Sequence, residues 1–344
     1  MTGASPRSLG FSMPPEWEAH EAVWLAWPSH RELWGDDLEP ARAELVELCR
    51  AIATGGGAEA LHVLVLDERG EEEAAGALDG AGATVHRVPF GDIWLRDTGP
   101  LFVTADDGRM AAVRFRFDGW GGKYRFEFDD EVALRVAELA GADVFEAPIV
   151  CEGGAVEVDG EGTCITTRAC LLDPHRNPGA DASTVEACLA DYLGADCVVW
   201  LERGLAGDHT DGHVDTLARF VAPGRVVCAS ARERDDPNAE VLAEVERALD
   251  RATDACGRRL EVVTLPSPGL VSVGDGDPMP ASYLNYYLSN SGVVVPVYGS
   301  RYDREAVEAV AQCFPGRDTL AVPARHILTG GGAFHCITQQ QPMR

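Results

Sequence analysis

Four short segments combine glycines with reactive side chains, and they are spread from one end of the chain to the other. Asp92-Ile93-Trp94-Leu95-Arg96-Asp97-Thr98-Gly99-Pro100 brings two acids, a tryptophan and an arginine to a Gly-Pro turn, where side chains commonly face a site. Its plainer reading is a solvated loop with an Arg–Asp pair. Cys151-Glu152-Gly153-Gly154 sets a carboxylate beside a diglycine that lets backbone pass closely. Asp208-His209-Thr210-Asp211-Gly212-His213-Val214-Asp215 holds two histidines and three acids. His209 and His213 are four apart, which on a helix would offer both imidazoles to a metal. Gly212 and the β-favouring run Val214–Val221 argue instead for a turn entering a strand, with His213 and Asp215 on one side of the pleat. That suits an acid–base histidine beside a carboxylate, and no metal is expected. In Thr329-Gly330-Gly331-Gly332-Ala333-Phe334-His335-Cys336 three glycines lead to a cysteine, without the Gly-Lys-Ser/Thr of a phosphate loop. Its polar neighbours point to an activated thiol rather than an inert buried one.

A cysteine, a histidine and several carboxylates suit nucleophilic attack on a cationic carbon. A guanidinium is a poor electrophile, because its charge is spread over three nitrogens. An enzyme must clamp its N–H groups with carboxylates, whose charge-assisted hydrogen bonds are strong. It must present an anionic sulfur, then protonate departing ammonia and deprotonate a water, two tasks one histidine can perform in turn. Asp97, Glu152, His213, Asp215 and Cys336 supply that set.

Elements of alternating type must position these residues. Apolar residues at helical spacing predict helices over 40–54, 68–77, 129–140, 182–193, 238–256 and 303–314. Short β-rich runs at 61–66, 111–117, 155–158, 197–201, 214–221, 226–230, 260–265 and 293–298 predict strands. Val113-Arg114-Phe115-Arg116-Phe117 alternates as a strand with one polar face should. Units of about 50–70 residues fit either a repeated propeller-like array or a doubly wound sheet. No linker-like stretch divides the chain, so a single domain over 1–344 is expected.

Composition narrows the function. The chain has 344 residues, 46% of them hydrophobic, and a formal charge of −27. That acidity argues against nucleic-acid binding, which needs Lys and Arg to neutralise phosphates. No apolar run reaches a membrane span, and no basic patch followed by an apolar stretch opens the chain, so neither a membrane partner nor a leader is expected. Ten cysteines without a Cys-x-x-Cys pair read as reduced thiols in a cytoplasm. A homodimer or higher homo-oligomer is only the general habit of enzymes.

The sequence resembles the agmatine deiminase (agmatine iminohydrolase) family of guanidino-group-modifying enzymes over almost its whole length. The likeness is carried by Met13-Pro14-Pro15-Glu16-Trp17-Glu18-Ala19-His20-Glu21, Trp94–Pro100, Trp120-Gly121-Gly122-Lys123-Tyr124 and Glu152-Gly153-Gly154. It continues in Asp173-Pro174-His175-Arg176-Asn177-Pro178, Gly212–Asp215, Pro280–Asn285 and His335-Cys336-Ile337-Thr338-Gln339-Gln340. The resemblance implies a pentein fold: a five-bladed α/β propeller with the active site at its centre. It implies Cys336 as nucleophile, His213 as acid–base, Asp97 and Asp215 gripping the guanidinium, and Glu152 supporting the clamp or orienting His213. It implies agmatine as a small cationic guanidino substrate, an S-alkylthiouronium intermediate, and no cofactor. Trp94 and Trp120 are candidates to line the pocket, with Asp211, Asp208 and His209 near the distal amine. Two features depart from the family pattern: Ala333 and Phe334 precede the His-Cys pair, and His209 stands where an acid is common. They leave open another small guanidino substrate or an amidinotransferase. A noncatalytic guanidinium binder is the alternative of a different class, and a metallohydrolase is a third.

Overall fold

The computed structural model describes residues 4–54, 59–273 and 276–344. All six expected helices form, as Leu38–Ala53, Glu68–Ala77, Asp129–Leu139, Ala182–Leu193, Ala239–Arg251 and Asp303–Cys313. In the first, Leu45, Leu48 and Ile52 are fully buried, the one-sided stripe their spacing demands. The glycine run beyond it lies outside the described residues. Asp67 and Asp181 cap two of the other helices, accepting backbone N–H groups from Gly70 and Thr184. The fifth stops at Arg251, short of the expected Cys256, because Thr253 bridges to Arg259.

Five sheets of three or four strands repeat one local order among the described residues. An antiparallel pair comes first, and a helical crossover then adds a parallel strand. Leu101–Ala105, Met110–Arg116 and Asp143–Val150 form one such unit around the helix Asp129–Leu139. Glu157–Val158, Thr163–Thr167 and Cys197–Leu201 form the next. Ala218–Ala222, Arg225–Ser230 and Glu261–Pro266 follow, then Tyr287–Leu288, Gly292–Val297 and Asp318–Pro323. The last unit joins the two ends of the chain: Gln339–Pro342 pairs antiparallel with His20–Ala26, which pairs parallel with Ala60–Val65. A single doubly wound sheet is thereby excluded.

Two expectations shift. Val214–Val221 is not one strand: Val214–Thr216 is a 3-10 turn and the strand begins at Ala218. Asp211 (φ 70) and Gly212 (φ 120) reverse the chain just before it, and Thr216 Oγ1 donates back to the His213 carbonyl at 3.0 Å. His213 and Asp215 therefore sit on a tight turn, not on one side of a pleat. Likewise Gly153–Ala155 is a 3-10 turn, leaving only Glu157–Val158 as strand.

Candidate active site

The repeat explains how distant residues meet. Each functional side chain stands just ahead of the first strand of its unit. Asp97 precedes Leu101–Ala105, Glu152 precedes Glu157–Val158, and His213 and Asp215 precede Ala218–Ala222. Cys336 precedes Gln339–Pro342, and the fourth unit contributes Asn285, ahead of Tyr287–Leu288. All six are buried.

Asn285 is a functional residue that the spacing arguments miss. Its Nδ2 donates to Cys336 Sγ at 3.1 Å and to Asp215 Oδ2 at 3.0 Å, while its Oδ1 accepts the backbone N–H groups of Ala333 and Cys336. It thus binds the Cys336 loop to the carboxylate and aims a donor at the sulfur. An uncharged amide gives no titratable signal; the repeat itself was the signal, since four units contribute and the fifth should. Asn285→Ala is expected to slow alkylation of Cys336 by iodoacetamide by about 10- to 100-fold, the loss of one charge-assisted hydrogen bond. Rates followed at fixed pH check this.

Cys336 Sγ also lies 3.4 Å from Asp215 Oδ2. Burial, with Asp215 and Asp97 nearby, pushes the thiol well above its usual range, so the sulfur rests protonated. Asp215 is held below the usual carboxylate range despite its burial, chiefly by His335, whose Nδ1 lies 2.8 Å from Oδ2. Its other oxygen, Oδ1, is buried with no hydrogen-bond partner.

His213 lies between two acids, with Nδ1 3.6 Å from Asp97 Oδ1 and Nε2 3.8 Å from Glu152 Oε2. Burial favours the neutral ring, but Asp97 and Glu152 outweigh it and hold the proton well above the usual histidine range. Burial, opposed by His213, raises Asp97 to about 6. Glu152 is brought down to about 2 despite burial, by His213 and by Arg176, whose Nε donates to Oε1 at 2.9 Å. Asp97 Oδ1 accepts the Gly154 N–H at 3.1 Å, and Oδ2 accepts Trp120 Nε1 at 2.9 Å. Gly154 is required there, because a Cβ would stand 2.5 Å from His213 Nδ1. Gly332 has the same role beside Cys336, whose Sγ a Cβ would meet at 2.9 Å.

Glu152, Cys170 and His213 form a group of possible metal donors within 4.8 Å of one another. The Arg176 guanidinium already occupies the carboxylate, and a fixed cation there opposes a second one. The i,i+4 pair His209 and His213 does not converge, since no helix carries it.

A cavity of about 220 Å³ reaches Asp97 and Cys336 at its floor. Trp94 and Trp120, both expected there, line it together with Trp34, Tyr124 and Phe126. Trp34 and Trp94 stack at 6.1 Å and both donate indole N–H groups to Asp92. His209 lines the same cavity, its Nδ1 3.4 Å from the Tyr124 hydroxyl. Asp211 does not line it: its carboxylate is taken up by Arg176 at 2.6 Å and by Lys123. Asp208 performs turn chemistry, accepting from Thr210 and from the His213 N–H. Arg96 does not pair with Asp97 but with Glu16, at 3.3 Å.

The arrangement resembles known proteins throughout its length. The family model for Porphyromonas-type peptidyl-arginine deiminases matches residues 12–342. The agmatine deiminase of Stutzerimonas stutzeri is 38% identical, with 98% of this chain and 97% of that protein covered. A solved structure described as agmatine deiminase of Enterococcus faecalis catalysing its reaction superposes with a TM-score of 0.95 at 34% identity, covering 100% and 99% of the two chains. DDAH from Pseudomonas aeruginosa shares the fold alone, with a TM-score of 0.52 at 12% identity over 94% and 99%.

Proposed function

The chain belongs to the Porphyromonas-type peptidyl-arginine deiminase family and has the pentein fold, and we propose that it hydrolyses agmatine to N-carbamoylputrescine and ammonia. The observation that carries this reading is a buried thiol that lines, with Asp97, a cavity walled by indoles, and that lies 3.4 Å from Asp215, whose Oδ1 has no hydrogen-bond donor. A guanidinium supplies such donors and a positive charge. Tryptophan faces suit an aliphatic chain and a distal cation.

The substrate cation lies against Asp97 and Asp215 and favours the ionised sulfur. The sulfur attacks the guanidinium carbon, forming a C–S bond and a tetrahedral adduct. His213 gives its proton to the leaving nitrogen, the C–N bond breaks, and ammonia departs to leave an S-alkylthiouronium. The neutral imidazole next removes a proton from water, and the hydroxide adds to the same carbon. Collapse forms the C=O bond and breaks the C–S bond, which restores the enzyme. His213 serves as acid and then as base because Asp97 and Glu152, 3.6 and 3.8 Å from its two nitrogens, favour the charged ring and so draw a proton back after each is given up.

The pH dependence follows from the same groups. Asp97 must be anionic, so kcat/KM is expected to fall tenfold per unit below about pH 6. It should hold on a plateau above that and fall again only where His213 loses its proton, well above the usual histidine range. A profile without the acid limb would remove Asp97 from the clamp. The reading itself is tested by ammonia release across agmatine, arginine and other small guanidines. Agmatine should be turned over with the highest kcat/KM, and no release from agmatine would sink it.

A further inference from the structure

We propose that His335 takes up the Cys336 proton, received through Asp215, and so is a positioning residue that lets the thiol ionise inside the closed site. The inference rests on the deiminase reading above and begins from a proton balance. Cys336 must lose a proton before it attacks. His213 is not the acceptor, because both its nitrogens face carboxylates that hold the ring's proton well above the usual histidine range. The sulfur has two polar partners. Asn285 Nδ2 is a donor with no lone pair to offer, so Asp215 Oδ2, at 3.4 Å, is the acceptor. A proton that stayed on Asp215 would cancel the charge the clamp requires.

The same Oδ2 lies 2.8 Å from His335 Nδ1, and His335 Nε2 lies 2.7 Å from Glu16 Oε1. An imidazole between two carboxylates faces two acceptors, yet the neutral ring offers only one N–H. One more proton completes both bonds. The surroundings keep that place open at rest. Glu16 from the N-terminal segment and Asp215 favour the charged ring; Arg96 and Arg219, paired with Glu16, oppose it. Burial and the two arginines prevail, holding His335 below the usual histidine range. Glu157 stands behind, bonded to Arg219 at 2.9 Å.

The transfer balances simply. With the resting ring's one N–H on Nε2 toward Glu16, Nδ1 holds a lone pair toward Asp215; the S–H bond breaks with its electron pair left on sulfur, and the proton passes by Asp215 Oδ2 to that Nδ1 lone pair. The ring becomes an imidazolium whose Nε2–H stays on Glu16. When the product's C=O forms and sulfur leaves, His335 returns its proton to the sulfur, and the product hydroxyl's proton passes to solvent, where it balances the ammonia released a step earlier as ammonium.

Two probes of intact protein test this: agmatine turnover, and alkylation of Cys336 by chloroacetamidine, a cationic amidinium that needs no turnover. Wild-type alkylation should be flat across the neutral plateau, because the proton has an internal acceptor. His335→Asn should lower it about 100-fold at neutral pH and make it climb about tenfold per pH unit, since solvent must then take the proton. Glu16→Gln should shift both quantities in the same direction by less, and it decides the matter if His335→Asn does not fold. A loss of rate with an unchanged flat profile would show a merely structural role and overturn the proposal, as would unchanged rates. Wild-type alkylation that is flat while agmatine is not turned over would defeat the deiminase reading and leave the proton route standing.

Discussion

Cys336→Ala is expected to lower ammonia release from agmatine by at least about 10⁴-fold, the scale on which loss of a covalent nucleophile is felt. Affinity for agmatine should change little. The thiol is neutral at rest and contributes volume rather than charge to the cavity, whereas the proposed clamp on the guanidinium is Asp97 and Asp215. Alanine also removes the one side chain that Asn285 and Asp215 share, which leaves those two still bonded to each other at 3.0 Å. Calorimetric titration of the variant with agmatine, beside an ammonia assay, separates the two effects. A noncatalytic guanidinium binder would show no turnover to lose, and a metallohydrolase would retain most of its rate.

The second large effect is on His213. His213→Gln should reduce kcat by about 10²- to 10⁴-fold, because one group performs both proton transfers. Its signature lies in the pH profile. The basic limb should vanish, since the group that titrates there is gone. The acid limb should move above about pH 6, because the imidazolium is what opposes the protonation of Asp97. A variant that is slower but keeps both limbs in place would mean that another group transfers the protons.

The helices were legible because each carries an apolar stripe that only the helical period explains; Leu45, Leu48 and Ile52 illustrate it. Strands were less so. Gln339-Gln340-Gln341-Pro342 has no β-favouring residue, and only its pairing with the strand at the other end of the chain makes it one. His20–Ala26 is buried at nearly every position and so shows no alternation to read. Within the site, the nucleophile, the histidine and three acids stood out by type and by their glycine neighbours. What stayed hidden was what holds them. Glu16, Arg176, Asn285 and His335 sit far from their partners in sequence, and nothing local marks a side chain whose role is fixed by a residue 120 or 319 positions away. The turn at His213 is hidden in the sequence because Val214 and Thr216 favour strands; Asp211 and Gly212, held at positive φ, override them.

The account's central claim is that Cys336 carries the guanidino carbon during turnover. Acid quenching of the enzyme within its first turnovers on agmatine, followed by mass spectrometry of the peptide containing Cys336, tests it most directly. The predicted result is a peptide heavier by agmatine less ammonia, absent from Cys336→Ala and lost once substrate is exhausted. Steady turnover with an unmodified Cys336 peptide at every quench time, while His213→Gln also fails to accumulate the adduct, would contradict it.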